Sequence, residues 1–313
     1  MLTGSYALRA LTPEDKVVVQ RGRCLRQRYA KSACRICFSA CPAQALSWND
    51  QGLAWDASLC QNCLLCVAQC PAGAFAGGEI NLLGLLEDLA AVEQPIIACS
   101  MVPKQHGHAF VPCLGMLADP ELLLALSLAL GRRLRLNLAA CQGCVNQAIM
   151  APLQQALRTA VEHMPQLEKQ VVEASEPTEL NFQARTFSRR ELFGLLKNRG
   201  QRAGGCIIGR IQALPRDSNF GTKALPQSRV LLLRVLQQLP EIKQQLRPRL
   251  FPERISRASC RSCTGCVGIC PTGALAPPRE TGQPPRFIAE YCIGCHLCED
   301  FCRHSGIEIV TAN

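Results

Sequence analysis

The residues most able to do chemistry are the cysteines, 21 of 313. Cys60, Cys63, Cys66 and Cys70 are followed by Pro71, and the same spacing returns at Cys260, Cys263, Cys266 and Cys270, followed by Pro271. A third run, Cys292, Cys295, Cys298 and Cys302, keeps the C-x2-C-x2-C-x3-C spacing with Arg303 in place of the proline. Three thiolates one tight turn apart can wrap three corners of an iron-sulfur cubane, and the fourth corner needs a ligand from elsewhere in the chain. Zinc sites usually take two close C-x2-C pairs and have no need of a third step. A disulfide framework is excluded on length, because such scaffolds are short secreted chains.

A fourth run is irregular. Cys34, Cys37 and Cys41-Pro42 are in place, but the position for a first ligand is Lys31, and the nearest earlier cysteine is Cys24, within Arg-Cys-Leu-Arg-Gln-Arg. A seven-residue insertion would let Cys24 reach the vacant iron, with the basic loop offsetting cluster charge. The alternatives are a three-iron cluster or a non-cysteine ligand with Cys24 as a bystander; the reading adopted is Cys24 as ligand. The four runs use sixteen cysteines and leave Cys99, Cys113, Cys141, Cys144 and Cys206.

Residues 24–76 and 260–303 resemble bacterial dicluster ferredoxin modules. The resemblance implies two [4Fe-4S] clusters per module in a pseudo-twofold α+β fold, with the fourth cysteine of each run crossing to the other cluster. It assigns Cys24, Cys34, Cys37 and Cys70 to one cluster and Cys41, Cys60, Cys63 and Cys66 to its neighbour. In the C-terminal module it assigns Cys260, Cys263, Cys266 and Cys302, then Cys270, Cys292, Cys295 and Cys298.

The elements between the modules read differently. The apolar runs PIIACS, AFVPCLG and LRLNLAACQGC predict strands that lead into Cys99, Cys113 and Cys141 with Cys144. Periodicity from Pro120 to Gly131, with Asp119 as N-cap, predicts a helix before the third strand. A parallel sheet would gather these cysteines at the carboxyl ends of its strands, where open α/β sheets hold ligands. Over about residues 95–150 the segment resembles the iron-sulfur delta subunit of viologen-reducing hydrogenases, through Cys113-Leu-Gly, Asp-Pro-Glu-Leu-Leu and Cys141-Gln-Gly-Cys144. That resemblance implies a [2Fe-2S] centre on Cys99, Cys113, Cys141 and Cys144; the alternative is a degenerate domain keeping its thiols as small apolar residues. It departs from the family in its lone Cys99 and its closer final pair. His106 and His108 read as parts of an exposed loop, His296 as a hydrogen-bonding group that tunes a cluster, and Cys206 as a buried residue.

The expected architecture is therefore α+β, with two 2[4Fe-4S] modules at 15–80 and 256–313 flanking a central α/β domain at 90–160 and a basic helical or linker region at 161–255. Between Asn181 and Arg257 sixteen Lys/Arg face four Asp/Glu, so this stretch holds more than the whole formal net charge of +10. Four clusters at about −2 each nearly cancel that excess, which favours packing along the clusters or docking an acidic redox partner over nucleic acid. The longest apolar run, Leu122–Leu130, is far short of a membrane span. Met1–Lys16 lacks a secretory core, and Ser188–Phe193, which imitates a twin-arginine signal, reads as a capping box, so a cytoplasmic location is expected.

No G-x-G-x-x-G, P-loop or nucleophile elbow accompanies the cysteines. The expectation is a polyferredoxin-type electron-transfer subunit rather than a stand-alone enzyme. Its expected partners are subunits of a hydrogenase, formate dehydrogenase or heterodisulfide-reductase type and an electron carrier. The alternatives are a redox-enzyme subunit with a central thiol/disulfide site and a maturation factor for a metalloenzyme.

Overall fold

A computed structural model of the chain describes residues 17–77, 81–180, 182 and 223–310. The Ser188–Phe193 capping box, Cys206 and much of the basic stretch lie outside the described residues.

The N-terminal module begins with strand β1 (Val17–Val19), a 3-10 turn at Arg21–Arg23 and the one-turn helix α1 (Leu25–Arg28). Helix α2 (Ile36–Ala40), strands β2 (Leu46–Asn49) and β3 (Gly52–Trp55), helix α3 (Leu65–Gln69) and strand β4 (Phe75–Gly77) follow. β1 pairs antiparallel with β4, Val17 opposite Gly77, and β2 forms a hairpin with β3. The hairpin closes at Gly52, whose φ of 97° lies where a Cβ would be strained.

Helix α4 (Leu82–Ala90) opens the central region, with Asn81 accepting the Leu83 and Gly84 amides. Strands β5 (Ile96–Cys99) and β6 (Ala109–Val111), helix α5 (Pro120–Leu130), strand β7 (Leu134–Asn137), helices α6 (Met150–His163) and α7 (Leu167–Gln170) and strand β8 (Val171–Ala174) complete it. All four strands are parallel in the order β6-β5-β7-β8. The expected strand, strand, helix, strand order is present, and Asp119 caps α5 through the Glu121 and Leu122 amides. Leu123, Leu124 and Leu126 of α5 and Ile96 and Ile97 of β5 are fully buried, each contributing roughly 1.5–3 kcal/mol of apolar transfer. The sheet does not stop at residue 160: β8 extends the domain because its Val171 and Ala174 are buried against β7.

After helices α8 (Gln227–Gln237) and α9 (Pro240–Leu250), strand β9 (Glu253–Ser256) starts the C-terminal module, a few residues before the expected boundary at 256. Helix α10 (Gly265–Ile269), strands β10 (Leu275–Ala276) and β11 (Arg286–Phe287), helix α11 (Leu297–Phe301) and strand β12 (Ile307–Val310) repeat the N-terminal plan. β9 pairs antiparallel with β12, and β10 with β11.

The chain divides into two compact units, and both cysteine-rich modules lie in the same one, made of residues 1–79, 215–230 and 241–313. The other unit contains residues 80–214 and 231–240. An apolar junction holds the modules together: Leu25 and Ala72 of the first pack with Leu297 of the second. Among the described residues no helix is long and apolar enough to cross a membrane.

Candidate metal centres

In the three regular runs the backbone enters the left-handed region twice. Asn62 and Leu64, Ser262 and Thr264, and Gly294 and His296 have φ between 52° and 63°. A left-handed conformation costs a residue with a Cβ about 1–2 kcal/mol, so these loops are bent against local preference to turn successive thiols onto one centre. The irregular run lacks this bend. Arg35, which corresponds to Leu64, Thr264 and His296, has φ −133° and ψ 12°.

A second turn is common to all four runs. The third residue after the last cysteine, Gln44, Gly73, Gly273 or Ser305, has positive φ. In three of them the next amide is directed at the sulfur: Ala45 N–H donates to Cys41 Sγ at 3.3 Å, Ala74 to Cys70 at 3.2 Å and Gly306 to Cys302 at 3.3 Å. Arg303 therefore holds the turn that a proline begins in the other runs.

The thiols gather in fours. Cys24, Cys34 and Cys70 act electrostatically on Cys37, whose thiol burial pushes up to about 12. Cys41, Cys60 and Cys63 act on Cys66, again raised first by burial. Cys260, Cys263, Cys266 and Cys302 line a cavity of about 210 Å³. Cys270, Cys292, Cys295 and Cys298 line another, and burial raises Cys295 to about 12. These are the four sets expected from crossed ligation. Cys24 stands five residues beyond β1, much as Cys260 stands four beyond β9, and its amide bonds to Arg21 as that of Cys260 bonds to Arg257, each at 3.0 Å.

Among the described residues no group of three His, Cys, Asp or Glu side chains is close enough to hold a single metal ion. Thiolates sharing one zinc at about 2.3 Å must stand roughly 3.8 Å apart. The surroundings of the N-terminal thiols fit an anionic group. Arg23 is 3% exposed, and among the described residues its guanidinium donates to the neutral acceptors Gln20 Oε1, Ala224 O and Leu225 O. Burial lowers its pKa, and the charge that opposes this is Cys70. A buried cation needs a counter-charge, and a cluster held by four thiolates supplies one. Arg229, 4% exposed, donates to the carbonyls of Glu290 and Cys292 at 2.9 and 2.8 Å and favours the Cys292 thiolate.

In the central sheet Cys99 ends β5, Cys113 lies just beyond β6, and Cys141 and Cys144 follow β7. Cys99 and Cys144 act on Cys141, which burial pushes up to about 11, while Cys113 is buried at 5% exposure. Asn137, at the end of β7, organises these loops by donating to His106 O at 2.9 Å and accepting from the Ala139 amide. His108 departs from the expected exposed loop: it is 8% exposed, its Nδ1 accepts the Ile96 amide at 3.1 Å, and its ring stacks on Phe182. His296 Nδ1 lies 2.8 Å from Glu299 Oε2, so that nitrogen is engaged with a carboxylate rather than a sulfur. The arginine-rich text around Cys24 signals the cations near the N-terminal thiols; nothing in the sequence marks Arg229.

Comparison with known proteins identifies two matches to families described as 4Fe-4S binding domains. One covers residues 53–76; the other covers residues 257–273 and 289–304. No curated protein and no solved structure matches the chain. Ferredoxin-like 4Fe-4S binding modules therefore lie near both ends, and the irregular stretch 24–41 falls outside the matched residues.

Proposed function

We propose that this protein carries single electrons through four [4Fe-4S] clusters, one on each thiol tetrad, between a redox enzyme and an electron carrier. The observation that carries the reading is the gathering of sixteen cysteines from four runs into four crossed sets. A bound cubane supplies a one-electron couple whose potential follows charge, burial and hydrogen bonds to sulfur. The chain's own part is to hold the thiols, aim the Ala45, Ala74 and Gly306 amides at sulfur, and bury Arg23 and Arg229 nearby.

One tetrad has an open side. Cys263 is exposed, and Arg254, Arg261 and Arg303 line the cavity that it shares with Cys260, Cys266 and Cys302. A basic rim around an accessible centre suits an acidic protein partner, of the hydrogenase, formate dehydrogenase or heterodisulfide-reductase type. The proposed location is cytoplasmic.

The lesser part of the proposal is a [2Fe-2S] centre on Cys99, Cys113, Cys141 and Cys144, supported by the meeting of Cys99, Cys141 and Cys144 beyond a parallel sheet. A reactive thiol/disulfide site is less well supported, because the raised Cys141 thiol is the reverse of an activated thiolate.

EPR of the anaerobically purified, dithionite-reduced protein tests the main reading. Two modules of paired neighbouring paramagnets give broadened, spin-coupled signals; a chain carrying stoichiometric zinc and no such signals overturns it.

A further inference from the structure

The stretch between Cys24 and Cys34 is what makes the first run irregular, and it has a structural use. Leu25, Arg28 and Tyr29 all belong to it. Leu25 packs with Ala72 and Leu297 in a buried cluster that also takes in Cys34, Cys70, Cys295 and Ile269. Ala72 lies two residues after Cys70, and Leu297 two residues after Cys295, so the ligand loops of the two modules touch. Tyr29 meets Phe301 edge to face at 5.5 Å between centroids and donates its hydroxyl to Asp300 O at 3.2 Å. The thiolates that act on Arg28 are Cys270 and Cys295, which belong to the C-terminal module.

We infer that the 25–33 stretch, which contains the seven-residue insertion, is an intermodule docking element: it sets the tetrad of Cys24, Cys34, Cys37 and Cys70 against that of Cys270, Cys292, Cys295 and Cys298, and lends Arg28 to the second tetrad as a positioning charge in trans. This inference rests on the proposed cluster binding. It turns two modules into a single series of four centres whose inner pair meets at Leu25, Ala72 and Leu297. A cation beside a centre favours its reduced, more negative state, so Arg28 raises the potential of a centre whose ligands lie more than 240 residues away in the sequence.

The test is an EPR-monitored redox titration of the full chain with Arg28→Gln, the signals being assigned from Cys37→Ser and Cys298→Ser chains that each disturb one inner centre. The expected result is a negative shift of the inner C-terminal centre, unchanged N-terminal potentials and recovery in Arg28→Lys. A Tyr29→Ser chain, which keeps Arg28, should weaken spin coupling between the modules while retaining its iron. If Arg28→Gln loses iron, loss from the C-terminal module agrees with the inference and loss confined to the N-terminal module contradicts it. Full iron with no shift, or a shift confined to the N-terminal centres, overturns the inference while leaving cluster binding intact. A wild-type chain without iron and sulfide would instead overturn the underlying reading.

Discussion

The two modules share an outer strand pair, an inner hairpin and two one-turn helices, but they present their first cysteine by different means. In the C-terminal module Cys260, Cys263 and Cys266 lie in one tight loop bent twice through the left-handed region at Ser262 and Thr264. In the N-terminal module the loop is opened, Arg35 is relaxed, and Cys24 returns to the tetrad from the start of an inserted helical turn. Cys24 and Cys260 thus keep a similar position after the outer strand, while the chain that follows Cys24 is free to acquire another task. Here that task is contact with the other module, through Leu25 and Tyr29.

The largest effect that would break this comparison is loss of a centre. Cys24→Ala should remove up to four iron and leave the C-terminal EPR signals unchanged, matching Cys34→Ala as control. Unchanged iron and spectra in Cys24→Ala would make it a bystander and the two modules inequivalent. Cys141→Ser should lower total iron by about two, and no change would remove the fifth centre.

Acid should affect both modules alike. Burial raises Cys37 and Cys295 to about 12 and Cys70 and Cys141 to about 11. In the cluster-free chain these thiols bind protons at pH 7, and ligation must release them. Apparent cluster affinity therefore rises with pH toward those values and falls as pH drops. Reconstitution followed by visible absorption at pH 6 and pH 8 should be markedly weaker at the lower value; equal occupancy would contradict the assignment.

A smaller effect concerns stability. If the tetrad beside Arg23 holds a cluster, Arg23→Met removes its buried counter-charge, and anaerobic denaturant unfolding of the loaded protein should show a loss of about 3 kcal/mol. The smallest sharpens the loop comparison directly. Thr264 is exposed with φ 57°, so Thr264→Gly should stabilise the cluster-free chain by about 1 kcal/mol. Arg35→Gly, at an ordinary φ, should give no such gain.

Much of the site was legible because cysteine spacing is local: the matched 4Fe-4S binding stretches and the strands leading to Cys99 and Cys141 follow from it. Asp119 and the helix after it were equally plain, since capping is a local signal. Strand β8 was missed because VVEA is short and its burial depends on β7. The union of the two modules was missed for a similar reason. Leu25, Ala72 and Leu297 are ordinary apolar residues whose meeting depends on the tertiary fold rather than on any pattern. His108 looked like a loop residue because its partner, the Ile96 amide, lies on a neighbouring strand.

The most direct test of the central claim is an iron, acid-labile sulfide and zinc count on anaerobically purified protein. Four tetrads should hold about sixteen iron and sixteen sulfide per chain, with about two more of each from the central thiols. Stoichiometric zinc with little sulfide would contradict it.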